Sequence, residues 1–147
     1  MKKEFVMRGQ TASTEDEILN FSGYKPGYAY RLTEFQIYPS SAIGSSDNEL
    51  AAAITAEKTA ANPAEPDFND EGLIGVTFLT KGNSINTPTV PVSIVNDTFL
   101  ITQNLIISVI NTEAGTPVNW QCRFVAVKMN NAEEAAANFK QFSIFDG

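Results

Sequence analysis

The densest group of metal-ligand atoms in the sequence is the run Glu65-Pro66-Asp67-Phe68-Asn69-Asp70-Glu71. Hard cations such as Ca²⁺ take roughly six to eight oxygen ligands, and Glu65, Asp67, Asp70 and Glu71, with loop carbonyls, are the set that would supply them. The spacing does not match an EF-hand loop, and a proline-containing acidic loop is more often simply solvated, so no cofactor is expected. Glu34 is the one carboxylate in mid-strand among aromatic residues; it is either a group whose pKa is raised by burial or an outward polar residue. Tyr24, Tyr28, Tyr30, Tyr38 and Trp120 offer flat apolar rings with a polar edge, suited to stacking on sugars or to burial between subunits. The single cysteine, Cys122, is in phase with Trp120 and Phe124, which makes it a small core residue rather than a reactive thiol.

Histidine is absent. That removes the commonest general acid and base, the usual activator of Ser or Cys nucleophiles and the commonest transition-metal ligand. Neither a Gly-rich phosphate loop nor a Ser-centred elbow occurs in the chain, so no enzymatic activity is expected. With 17 acidic against 10 scattered basic residues, the net charge of −7 disfavours direct binding to nucleic acid or to an anionic membrane surface. Met1-Lys2-Lys3 begins like a signal peptide, but Glu4 and Arg8 interrupt the apolar region that would follow, and no stretch is apolar for about 18 residues. Synthesis in a cytoplasm without secretion by a signal peptide is the expectation.

The elements that must position these residues are strands. Residues 99–110 and 118–129 alternate apolar and polar, with Ile101, Leu105, Ile107 and Val109 on one face of the first and Trp120, Cys122, Phe124 and Ala126 on one face of the second. They read as a long antiparallel hairpin whose apolar face needs a second sheet to cover it. Residues 3–9 and 18–21 read as short strands. Residues 28–38 form another, with a change of phase at Thr33-Glu34 that indicates a β-bulge. Residues 49–59 combine helix-forming alanines with alternation of Leu50, Ala52, Ile54 and Ala56, and their place between two strands decides for strand. Residues 72–81 and 92–95 complete the set, with Pro88 and Pro91 confining the latter region to an edge or connector. Residues 60–71 are a long exposed acidic loop. At the end, Asn131 with Glu134 reads as a capping box, opening a helix over 131–142 with Ala135, Ala136, Phe139 and Phe142 as its apolar stripe. Ile144 and Phe145 follow with no obvious covering element.

About eight strands with one terminal helix in 147 residues imply a single all-β domain, an antiparallel β-sandwich of jelly-roll type. The segments Asn20-Phe21-Ser22-Gly23-Tyr24, the run from Tyr30 to Ser40, and Val118-Asn119-Trp120-Gln121-Cys122-Arg123-Phe124 leading into the helix carry a resemblance in layout. The chain is similar to the single jelly-roll coat and minor capsid proteins of viruses, especially of marine phages. That resemblance implies a virion protein that self-associates as a homo-oligomer, a trimer or ring, with other virion proteins as further partners. Edge strands, tyrosines 24, 28, 30 and 38, and Ile144 and Phe145 are the interface candidates. The negative charge suits an outer-shell or decorating position better than one lining the genome. A β-sandwich module binding carbohydrate or a receptor is the alternative.

Overall fold

The computed structural model describes residues 3–21, 27–82 and 89–146, with the backbone alone for residues 145 and 146. Within them lie β1 (Glu4–Thr11), β2 (Asp16–Leu19), β3 (Tyr28–Pro39), β4 (Asn48–Thr55), β5 (Leu73–Lys81), β6 (Pro91–Val95), β7 (Leu105–Asn111), β8 (Val118–Lys128) and the helix α1 (Asn131–Asp146). One sheet has the order β1-β8-β3 and the other β2-β7-β4-β5-β6, with every pairing antiparallel. Pairing 1 with 8, 2 with 7 and 4 with 5 is the nested wrapping of a jelly roll. The expected 3-with-6 pair is replaced. β6 hydrogen-bonds to β5 and meets β3 across the seam, where the Ser93 hydroxyl donates to the Phe35 carbonyl.

This wrapping corrects the long hairpin. β7 begins only at Leu105, and it pairs with β2 and β4 while β8 pairs with β1 and β3. Alternation fixes which face of a strand is apolar, but it does not fix the neighbour. Here the two apolar faces meet across the core instead of lying side by side, and the connection through Gly115, at φ +76°, crosses from one sheet to the other.

The core between the sheets holds Leu32, Phe35, Leu50, Ile54, Ile101, Leu105, Ile107, Val109, Trp120, Cys122 and Phe124. Aromatic packing closes one end, with Phe5 stacked on Phe124 at 5.4 Å and Phe21 edge-on to Phe124 at 5.1 Å. The phase change in β3 is a bulge: the register with β8 shifts between Leu32 and Glu34, which lets Leu32 and Phe35 both point inward. Residues 48–55 are strand, as their alternation required, with Leu50, Ala52 and Ile54 facing the core.

The helix differs from the sequence expectation in three respects. Its cap is Asn130, whose Oδ1 accepts the Glu133 N–H at 2.8 Å while its Nδ2 donates to Glu133 Oε1 at 2.7 Å. It continues through Asp146. Its buried face is also not the expected stripe: Phe139 is 74% and Phe142 56% exposed, whereas Ala137 and Gln141 are buried. The reason is polar. Gln141 Oε1 accepts the N–H groups of Thr102 and Gln103 and the Thr102 hydroxyl, satisfying backbone donors that the fold has buried. Ala137 packs beside Ala29 and Met129.

Candidate functional site

Each sequence-derived candidate has a definite place. Among the described residues no group of three His, Cys, Asp or Glu side chains comes close enough to hold a metal ion, so Glu65, Asp67, Asp70 and Glu71 do not converge. Asp67 Oδ1 instead accepts the Asn69 N–H at 2.9 Å within the loop. The loop is anchored rather than free at its start, because the Ala61 carbonyl accepts the Ser108 hydroxyl at 2.7 Å, while residues 64–71 are exposed. Partial burial, with Asp70 nearby, raises the pKa of Glu57. Glu34 points outward at the bulge and meets Arg123 Nε at 3.4 Å on an exposed surface, where such a pair contributes little. Cys122 is fully buried, and burial pushes its thiol up to about 12.

The interface candidates separate. Tyr30 is a core ring, edge-on to Phe5 at 5.5 Å, and is unavailable to a neighbouring chain. Ile144 is half-buried on α1 against the main core, because the helix extends to cover it. Tyr28 is half-buried, and Tyr38 is 65% exposed. Tyr24 and the side chain of Phe145 lie outside the described residues.

One arrangement with chemical potential was not legible in the sequence. Lys81 is buried, and its Nζ lies 2.7 Å from Ser41 Oγ, 2.9 Å from the Ala42 carbonyl and 3.1 Å from Ser45 Oγ. A serine against a lysine can form a nucleophile and base. The three oxygens around its nitrogen, however, match the three N–H donors of an ammonium. Lys81 therefore staples the 41–45 loop to β5.

The surface best equipped for a function is the β5–β6 edge. Pro91 starts β6 where no donor is needed, and the strand carries no charge and ends the five-stranded sheet. Its register sets Val92 beside Phe78 and Ile94 beside Val76, all directed away from the core. Val92 is 46%, Ile94 50% and Phe78 37% exposed. Phe68, from the acidic loop, shares with Val76 and Ile94 a hollow of about 280 Å³. Pro88 and Pro91 mark β6 as an edge or connector from sequence, without singling out these side chains. The available signal was an uncharged edge strand with apolar residues at alternate positions.

No protein-family model matches the chain, and no curated protein matches it.

Proposed function

We propose that this chain is a structural virion protein, a coat or capsid-decorating subunit that works by self-association into a symmetric assembly. The observation that carries the reading is the apolar outward surface of β6, the terminal strand of the five-stranded sheet among the described residues. Exposed sheet edges are normally blunted by Lys, by inward charges or by a covering element, because an open ladder with apolar side chains recruits another chain. β6 presents Val92 and Ile94 with Phe78 and Phe68 beside them. These exposed apolar side chains offer on the order of 400 Å², about half of one partner's share in a standard interface. A second contact is thus required, and the outward Phe139 and Phe142 of α1 supply one. Two different patches used together build a ring or a trimer more readily than an isolated pair. The jelly-roll wrapping supports the reading more weakly, since this architecture serves viral capsids and also lectins. The net charge of −7 favours an outer position, away from the genome.

Sedimentation velocity over rising concentration, with negative-stain imaging of the same samples, tests the proposal. Discrete multimers of uniform shape are expected. A monodisperse monomer at the highest concentration, together with no copies detected by mass spectrometry in any purified particle, contradicts it.

A further inference from the structure

The three-stranded sheet presents a surface of the opposite character. Register across β1, β8 and β3 sets Arg8 beside Gln121 and Gln36, and Gln10 beside Asn119 and Tyr38, all on the outward face. Gln10 Nε2 donates to Asn119 Oδ1 at 2.8 Å, and Asn119 Nδ2 lies 3.4 Å from the Pro39 carbonyl, so the second row is held in place. Because β6 pairs with β5 instead of β3, the seam beside this face opens into a cleft of about 860 Å³. Arg8, Gln36, Tyr38, Asn119 and Gln121 line one wall, and Phe78, Val92 and Ser93 of the facing sheet line the other. That volume is within the roughly 300–1,000 Å³ of small-molecule sites.

The lining selects a chemistry. A primary amide presents a donor and an acceptor from one planar group, which matches two adjacent hydroxyls on a ring. An exposed phenol ring presents a flat apolar face, which matches the C–H face of a pyranose. Asn119 is held by Gln10 and Pro39, and the amides of Gln36 and Gln121 with one such ring, above an apolar wall, suit a saccharide better than a wholly apolar ligand, which would leave those two amides without a partner from the ligand. Among the described residues of the lining Arg8 is the one cation, and its planar fork fits a carboxylate.

We propose that this cleft binds a glycan carrying an acidic sugar. Gln36 and Gln121 take the hydroxyls, Tyr38 stacks on the ring, and Arg8 pairs with the sugar carboxylate. Phe78 and Val92 belong both to this cleft and to the β5–β6 edge, so the two sites adjoin, and the variants that tell them apart lie on the other wall, at Arg8, Gln36, Tyr38 and Gln121.

The test is a glycan array printed with neutral, uronic-acid-terminated and sialic-acid-terminated oligosaccharides and probed with the full chain. Retained glycans are then titrated into the ¹⁵N-labelled protein and followed by NMR. The expected result is retention of acidic-sugar glycans, with shifts in β3 and β8. Tyr38→Ala should weaken binding roughly three- to tenfold, and Gln36→Ala together with Gln121→Ala should weaken it further. Arg8→Gln should remove both the preference for acidic over neutral sugars and the salt dependence of binding. Tyr38, Gln36 and Arg8 are exposed, and circular dichroism verifies that each variant is folded. Absence of any retained glycan at millimolar concentration overturns the proposal, as does binding that Tyr38→Ala and Gln36→Ala leave unchanged. Equal binding of neutral and acidic sugars overturns the acidic assignment.

Discussion

Cys122 occupies the middle of β8 with its thiol in the core, opposite Met7 of β1 and Phe35 of β3. Desolvation disfavours the thiolate, so the folded-state pKa stands near 12 against an ordinary value of 9.0. Two outcomes follow from that difference. In native protein at neutral pH, iodoacetamide should leave Cys122 unmodified, and in denaturant it should react fully, as intact-mass measurement reads directly. Folding stability should also be independent of this group below pH 9 and should fall above it. There the unfolded chain loses the proton while the folded one keeps it, at about 1.4 kcal/mol per pH unit up to about pH 12. Urea titrations between pH 8 and pH 11 measure the slope. Gln141 makes the complementary case of a buried polar group. Gln141→Leu keeps the size and removes the acceptor for Thr102 and Gln103, leaving buried donors unsatisfied. A loss of about 1–3 kcal/mol is expected, with faster hydrogen exchange concentrated in α1.

At the scale of elements, close approach between the sheets depends on Gly75. A Cβ there would lie 2.8 Å from Leu32 Cδ2 and 3.3 Å from Phe35 Cδ2 on the opposing sheet. Gly75→Ala should therefore destabilise the chain by about 1–3 kcal/mol through overpacking, measured as a lowered denaturation midpoint. Much of this architecture was legible in the sequence, because the alternation of Leu50, Ala52 and Ile54, or of Trp120, Cys122 and Phe124, is imposed by the pleat itself. The bulge at Thr33-Glu34 could be read for the same reason, since an extra residue shows as a phase change. Pairing partners were not legible. The 99–110 and 118–129 segments have matching periods whether they lie side by side or across a core, and only the nesting of the whole chain decides. The helix face failed on different grounds. Apolar spacing favoured Phe139 and Phe142, but the buried N–H groups of Thr102 and Gln103 needed an acceptor, and that demand depends on a loop distant in sequence. The β6 surface was half legible: prolines marked the edge, while the exposure of Val92 and Ile94 needed the register with β5.

Across the whole molecule, the two sheets turn unlike faces outward. The three-stranded sheet carries amides and arginines, and the β5–β6 edge of the other carries Phe78, Val92 and Ile94. One face suits a polar ligand and the other a further copy of the chain. Formal net charge of −7 opposes close association through long-range repulsion. Assembly should therefore strengthen as salt rises from about 0.01 to 0.15 M, where the screening length shortens from about 30 to 8 Å. The opposite trend is expected for glycan binding through Arg8. The central claim is that the β6 edge joins copies of this chain, and sedimentation equilibrium of wild type beside Ile94→Lys and Val92→Lys tests it most directly. The wild-type mass should rise with concentration to a whole multiple of the 16.0 kDa chain, and the variants should remain monomeric with unchanged circular dichroism. A wild type that stays monomeric, or lysine variants that associate as it does, would contradict the account.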